Sequence, residues 1–187
     1  MSHLLPKKLP RYECLLEASQ RFPDLDPSAM EAYLHMLRAG SECLEFGNEF
    51  LSKHGVSSGR FTVLMLLFMR NTCGAEAEIT TPAELADMAG CTRATMTGLI
   101  DTLERDDLVK RAPDEEDRRM MTVNLTPKGS ALLTGMLPGH FKRLAKLMSC
   151  LNETERKTLV RLMIKILAQV AVMRGEDLAA GAGGCQA

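Results

Sequence analysis

The 187-residue chain contains no tryptophan, and two tyrosines and six phenylalanines hold its aromatic share to 4%. A core built from so few rings must be filled largely by Leu, Met, Ala and Val. The 13 methionines read as adaptable filler or, alternatively, as the lining of a deformable ligand pocket. No apolar run is long enough to span a bilayer, and no secretory leader is evident. Neither sign of charge dominates: 23 Lys and Arg stand against 24 Asp and Glu, a formal net charge of -1. That balance argues against strong nonspecific nucleic-acid affinity, which needs many phosphate contacts. It leaves room for a local basic surface presented twice by a dimer.

Metal and catalytic signatures are also missing. Cys14, Cys43, Cys73, Cys91, Cys150 and Cys185 form no CxxC pair, and His3, His35, His54 and His140 are scattered. The short ligand spacings of structural zinc are therefore absent, and no metal or other cofactor is expected. Free thiols point to a reduced, cytoplasmic setting. Nothing resembles a nucleophile elbow or a phosphate-binding glycine loop. The acids Asp114, Glu115, Glu116 and Asp117 share one turn, a poor scaffold for catalysis. The expectation is a protein with no catalytic residues.

Hydrophobics at 45% and charged residues at 25% suit one compact domain or two interdependent subdomains. Residues 1–27 read as an N-terminal arm with a short helix from Arg11 to Gln20, its Tyr12, Leu15 and Leu16 on one side. Pro23 and Pro27 interrupt it, and Ser28 with Glu31 has the spacing of a capping box opening a long helix to about Lys53. An apolar helix follows from Ser57 or Ser58 to about Asn71. Thr81-Pro82-Ala83-Glu84 is the clearest helix start in the chain, and Gly90 is its natural stop. Thr92 caps a further helix to about Asp106, and strands are expected over Leu108–Ala112 and Met120–Leu125. In the second strand Met121, Val123 and Leu125 alternate with Thr122 and Asn124, predicting an apolar buried face. Thr126-Pro127 opens a helix to about Cys150, with a kink expected at Pro138. Asn152 and Glu155 cap a last helix whose apolar residues run around much of its circumference, as burial against another subunit requires. The glycine-rich tail, 175–187, is expected to be disordered.

The block from Thr81 to Gly129 carries the chemistry. On the helix after Thr92, Met96, Leu99, Ile100 and Leu103 fall at i, i+3, i+4 and i+7 and form an apolar face. Thr92, Arg93, Ala94, Thr95 and Thr97 gather on or beside the opposite face, with Gly98 and Asp101. Small side chains, hydroxyls and one arginine at a helix N-terminus permit close approach to a DNA major groove. The same pattern also fits an ordinary polar helix face. Arg118 and Arg119 follow the acidic turn and can enter a narrow minor groove. The neighbouring acids would repel phosphate unless they restrain the arginines, and Asp117 is well placed to hold Arg119 by a charge-assisted bond; equally, the turn can be a solvated, self-neutralising charge run.

Together these segments resemble the MarR (multiple antibiotic resistance regulator) family of winged-helix transcription factors. Asp117, Arg119, Leu125 and Thr126 match its wing signature, and CTRATMTGLIDTLERDDLVKR resembles its recognition helix and first wing strand. Two residues depart from the pattern. Gly98 stands where relatives often carry a basic residue, and Asp107 replaces the usual glycine before the first wing strand. The resemblance implies a mainly α fold with a small β wing: a winged helix-turn-helix lobe plus a helical dimerisation region. It assigns residues 28–56 to a dimerisation helix, 57–125 to the DNA-binding lobe and 126–174 to C-terminal dimerisation helices. It further implies a homodimeric repressor on a pseudopalindromic double-stranded operator, read by Thr92, Arg93, Ala94, Thr95, Thr97, Arg118 and Arg119. The leading segment 1–27 resembles the added helix of longer-armed members, which pads the dimer.

The resemblance also implies release by a small aromatic or phenolic ligand, for which Tyr33, Leu37, Phe61 and Met65 are the candidate lining residues. Ordinary packing accounts for the same four positions. A redox-responsive branch of the family carries a reactive cysteine near the start of its long helix, a position that falls near Tyr33 in this chain, and Cys43 farther along is expected to be an inert buried thiol. A winged helix that binds protein rather than DNA is the remaining alternative.

Overall fold

A computed structural model of the chain describes residues 8–72, 81–113 and 120–175. Among the described residues, seven helices and one two-stranded ribbon follow in order: α1 (Tyr12–Arg21), α2 (Pro27–Lys53), α3 (Ser58–Thr72), α4 (Pro82–Ala89), α5 (Arg93–Arg105), β1 (Val109–Pro113), β2 (Met121–Leu125), α6 (Pro127–Leu147) and α7 (Glu153–Arg174). A short 3-10 turn, Met148–Cys150, joins the last two helices. Among the described residues no helix is long and apolar enough to cross a membrane. The chain divides into two compact units, Met1–Met136 and Leu137–Ala187, the boundary falling inside α6 beside Pro138.

Local chemistry sets most helix ends. Thr81 and Glu84 form a reciprocal box: the Thr81 N–H donates to Glu84 Oε2 at 2.7 Å, and the Glu84 N–H donates to Thr81 Oγ1 at 3.2 Å. Gly90 then ends α4 at a φ of 62°, a conformation glycine adopts without steric cost. Asn152 and Glu155 form the matching box on α7. The start of α2 differs from expectation. Asp26, not Ser28, is the cap, accepting from the Ser28 and Ala29 N–H groups at 2.9 and 3.1 Å, with Pro27 in the first turn. These bonds, Ala29's foremost and then the Ser28 hydroxyl's, hold the Asp26 carboxyl below the usual carboxylate range.

The core of the first unit joins α3, α4, α5 and the ribbon. Val63, Leu64, Leu67, Leu85, Ala86, Met96, Ile100, Leu103, Val109 and Val123 are all buried. The strands pair antiparallel, with Arg111 opposite Val123 and Ala112 opposite Thr122. Strict apolar alternation on β2 does not hold. Met121 is 41% exposed, Leu125 is half-buried and Thr122 is buried. Thr122 is tolerated inside because its hydroxyl donates to the Ala112 carbonyl at 3.2 Å across the ribbon. On α1 only Leu15 is buried, while Tyr12 and Leu16 stay exposed.

Asp107 links α5 to β1 at a φ of 59°, the left-handed conformation its departure from glycine predicts. Its described hydrogen bonds are made by the backbone: the N–H donates to the Glu104 carbonyl at 2.9 Å and the carbonyl accepts from Thr126 Oγ1 at 2.7 Å. Glycine would keep both. Asp107→Gly is therefore expected to raise stability by about 0.5 kcal/mol, through relief of the left-handed strain. Thermal melting checks it, and a lower melting temperature counts against the strain.

Candidate nucleic-acid interface

The exposed side of α5 is built by its own cap and its own core. Thr92 is the cap: its Oγ1 accepts from the Thr95 N–H at 3.2 Å and lies 2.9 Å from Thr95 Oγ1. Met96, Ile100 and Leu103 turn inward, while Leu99 is half-buried at the side of Gly59 on α3. This anchoring leaves Thr92, Arg93, Ala94, Thr95, Thr97 and Gly98 all exposed. The sequence-predicted residues of this helix are thus brought onto one accessible surface at its N-terminus.

Their donors are not all free. The Thr97 hydroxyl donates to the Arg93 carbonyl at 2.9 Å, so its proton is used within the helix. It offers outward a lone pair and a methyl group, suited to a base amino group or a thymine methyl. The Arg93 guanidinium enters no ion pair among the described residues. A side chain at Gly98 would meet nothing within 4 Å. Arg118 and Arg119, with the expected Asp117 partner, lie outside the described residues.

Arg111 was not among the residues read from sequence. It lies on β1 but turns back onto α5, with Nη2 2.5 Å from Asp101 Oδ1 and Nη1 bonded to Glu104 Oε2. Its backbone N–H also donates to Glu104 Oε1 at 3.0 Å. The Asp101 bond comes first among the influences that raise the guanidinium pKa above its ordinary value, opposed by partial burial. Two acids one turn apart on a helix, followed by an arginine in the next strand, were the available signal. A second pair, Arg60 with Asp106, ties α3 to the end of α5.

The candidate ligand residues occupy two touching helices. Tyr33 is 52% exposed on α2, and Leu37, Phe61 and Met65 are half-buried. A concavity lined by Glu153, Arg156, Lys157 and Val160 lies elsewhere, on α7. Cys43 is exposed, correcting the expectation of a buried thiol; it lies in a stretch of α2, residues 39–45, that is exposed throughout. Cys14 and Cys150 are exposed too, whereas Cys73 and Cys185 fall outside the described residues. No cluster of three or more potential metal ligands occurs among the described residues.

Comparison with known proteins bears on this surface. Residues 56–121 match the family model described as MarR family. The chain is 30% identical over 168 residues to the HTH-type transcriptional repressor YetL of Bacillus subtilis (strain 168), covering 90% of this chain and 98% of that one. Among solved structures, the S. aureus MepR–DNA complex aligns with a TM-score of 0.61 at 22% identity, covering 74% of this chain and 95% of that one. CouR from Rhodococcus jostii RHA1, bound to p-coumaroyl-CoA, aligns with a TM-score of 0.60 at 24% identity, covering 75% and 91%.

Proposed function

The chain belongs to the MarR family of DNA-binding transcriptional regulators and is not an enzyme, and from that premise we propose a homodimeric repressor released by a small aromatic ligand. The observation that carries the DNA reading is the accessible face of α5 from Thr92 to Gly98, capped, anchored from behind and set beside a two-stranded ribbon. In the proposed complex this face enters the major groove, Arg93 and the threonines meet base edges, and Arg118 and Arg119 approach the minor groove. Two copies then read half-sites about one helical turn apart.

Dimerisation is proposed through α2, α6 and α7. Its support is the exposed apolar surface of α7, where no residue is buried within the chain. Repression follows from occupancy, and YetL, the relative of similar length, is described as a repressor. An aromatic ligand is supported by the exposed Tyr33, with Leu37, Phe61 and Met65 half-buried on the same two touching helices, and by CouR, which is bound to p-coumaroyl-CoA. Ligand would act by favouring a dimer shape with lower DNA affinity.

Selection of duplexes from a randomised pool tests the reading: enrichment of a two-fold related sequence is expected, and no enrichment overturns it. Gly98→Arg sharpens the test. Its side chain has open space, so two added phosphate contacts per dimer should tighten binding and steepen the salt dependence by about two logarithmic units per decade. Anisotropy titration at several salt concentrations measures both. An unchanged slope would place Gly98 away from the backbone of the DNA.

A further inference from the structure

Asp101 lies one turn beyond Thr97 and two beyond Arg93, continuing the exposed face of α5. An unpaired carboxylate there would repel the phosphates that the face is read to approach. Glu104 stands one turn farther on. Both acids are partly exposed, at 50% and 39% of their side chains, and both are engaged by the single guanidinium of Arg111, itself only 25% exposed. Arg111 adds its backbone N–H to the Glu104 carboxylate, so three bonds run from β1 to two successive turns of α5. A planar guanidinium whose two terminal nitrogens reach two carboxylates fixes orientation as well as distance, which a lysine's point charge does not.

We propose that Arg111 is a positioning residue for DNA recognition: by bridging Asp101 and Glu104 it locks the recognition helix and the wing into one rigid pair and neutralises the acidic end of the reading face. The proposal rests on the DNA reading above and adds a residue that touches no nucleotide. The two elements enter adjacent grooves, so their relative angle decides whether both can seat on bases at once. Nonspecific binding, carried by charge alone, does not need that angle.

The test compares the full-length protein with Arg111→Gln on two duplexes, one selected from a randomised pool by the wild type and one scrambled from the same bases. The ratio of the two affinities should fall by about tenfold or more, the size of losing one base pair of readout. The scrambled duplex should also bind more weakly at low salt, since Arg111→Gln leaves Asp101 and Glu104 without their counter-charge, so the ratio rather than either affinity is the readout. Arg111→Lys should give an intermediate ratio. Should Arg111→Gln fail to fold, Asp101→Ala/Glu104→Ala removes the same bonds from the helix side and should lower the ratio likewise. A ratio within about twofold of wild type, the size of ordinary non-additivity, overturns the inference in either variant. Failure of the wild type to select any sequence instead overturns the DNA reading itself.

Discussion

Leu162→Glu is expected to leave a folded monomer that has lost sequence-specific DNA binding. The side chains from Leu159 to Met173 explain why. Leu159, Val160, Leu162, Ile164, Ile166, Leu167, Val170, Val172 and Met173 are between 37% and 79% exposed, and α7 buries no residue within the chain. A helix apolar around its circumference needs cover on more than one side, and a second copy of the same helix offers a self-complementary surface. A carboxylate placed there is buried twice in each two-fold interface, at a cost of several kcal/mol for each unpaired charge. The monomer itself has little reason to unfold, because Leu162 is 47% exposed before any partner arrives and α7 is capped at both ends by Asn152 and Gly175. Loss of the second reading helix removes the effective concentration that a dimer supplies, so affinity for the two-half-site duplex should fall about a hundredfold or more. Sedimentation and anisotropy titration on the same sample check both effects, with circular dichroism confirming helix content. A stable dimer, or a monomer with undiminished affinity, would sink the coupling between assembly and recognition.

What the sequence showed depends on the range of the determinant. The α4–α5 unit was legible because Thr81, Glu84, Gly90 and Thr92 act within four residues of the ends they define. The same is true of Asn152 and Glu155. Pro27 was read as a breaker, although a proline in the first turn is preorganised for a helix and Asp26 before it is an efficient cap. Thr122 was assigned outward because its partner, the Ala112 carbonyl, lies on the other strand. The exposed face of α5 from Thr92 to Gly98 followed from helical period alone. Its restraint by Arg111 did not, since that pairing requires knowing how β1 returns along the helix. Chemistry within a turn is written locally; contacts closed by the fold are not.

Gly129 is the sharpest instance of such a contact, and Gly129→Ala is expected to destabilise the protein by about 3 kcal/mol through overpacking against fixed backbone. Alanine in place of glycine inside a helix ordinarily gains up to about 1 kcal/mol, so the expected sign is reversed. Gly129 is buried in the first turn of α6, and a Cβ there would collide with the Leu108 carbonyl oxygen. That carbonyl cannot easily retreat. It accepts from the Thr126 N–H at 3.1 Å, while the Leu108 N–H is held by the Leu103 carbonyl at 2.9 Å. Thr126 Oγ1 donates to the Asp107 carbonyl and accepts the Gly129 N–H at 3.0 Å, and Lys128 Nζ reaches the Asp106 carbonyl at 2.7 Å. Thr126 and Lys128 are thereby stitched to the corner that joins α5 to β1, and Gly129 is held to Thr126. Gly135, later in the same helix, supplies the internal control: a Cβ there meets nothing within 4 Å, so Gly135→Ala should gain about 0.5 to 1 kcal/mol from propensity alone. Urea melts of the two variants should move in opposite directions. If Gly129→Ala is as stable as wild type, the corner yields more readily than its hydrogen bonds imply, and the wing is not held at the fixed angle to α5 that groove reading requires.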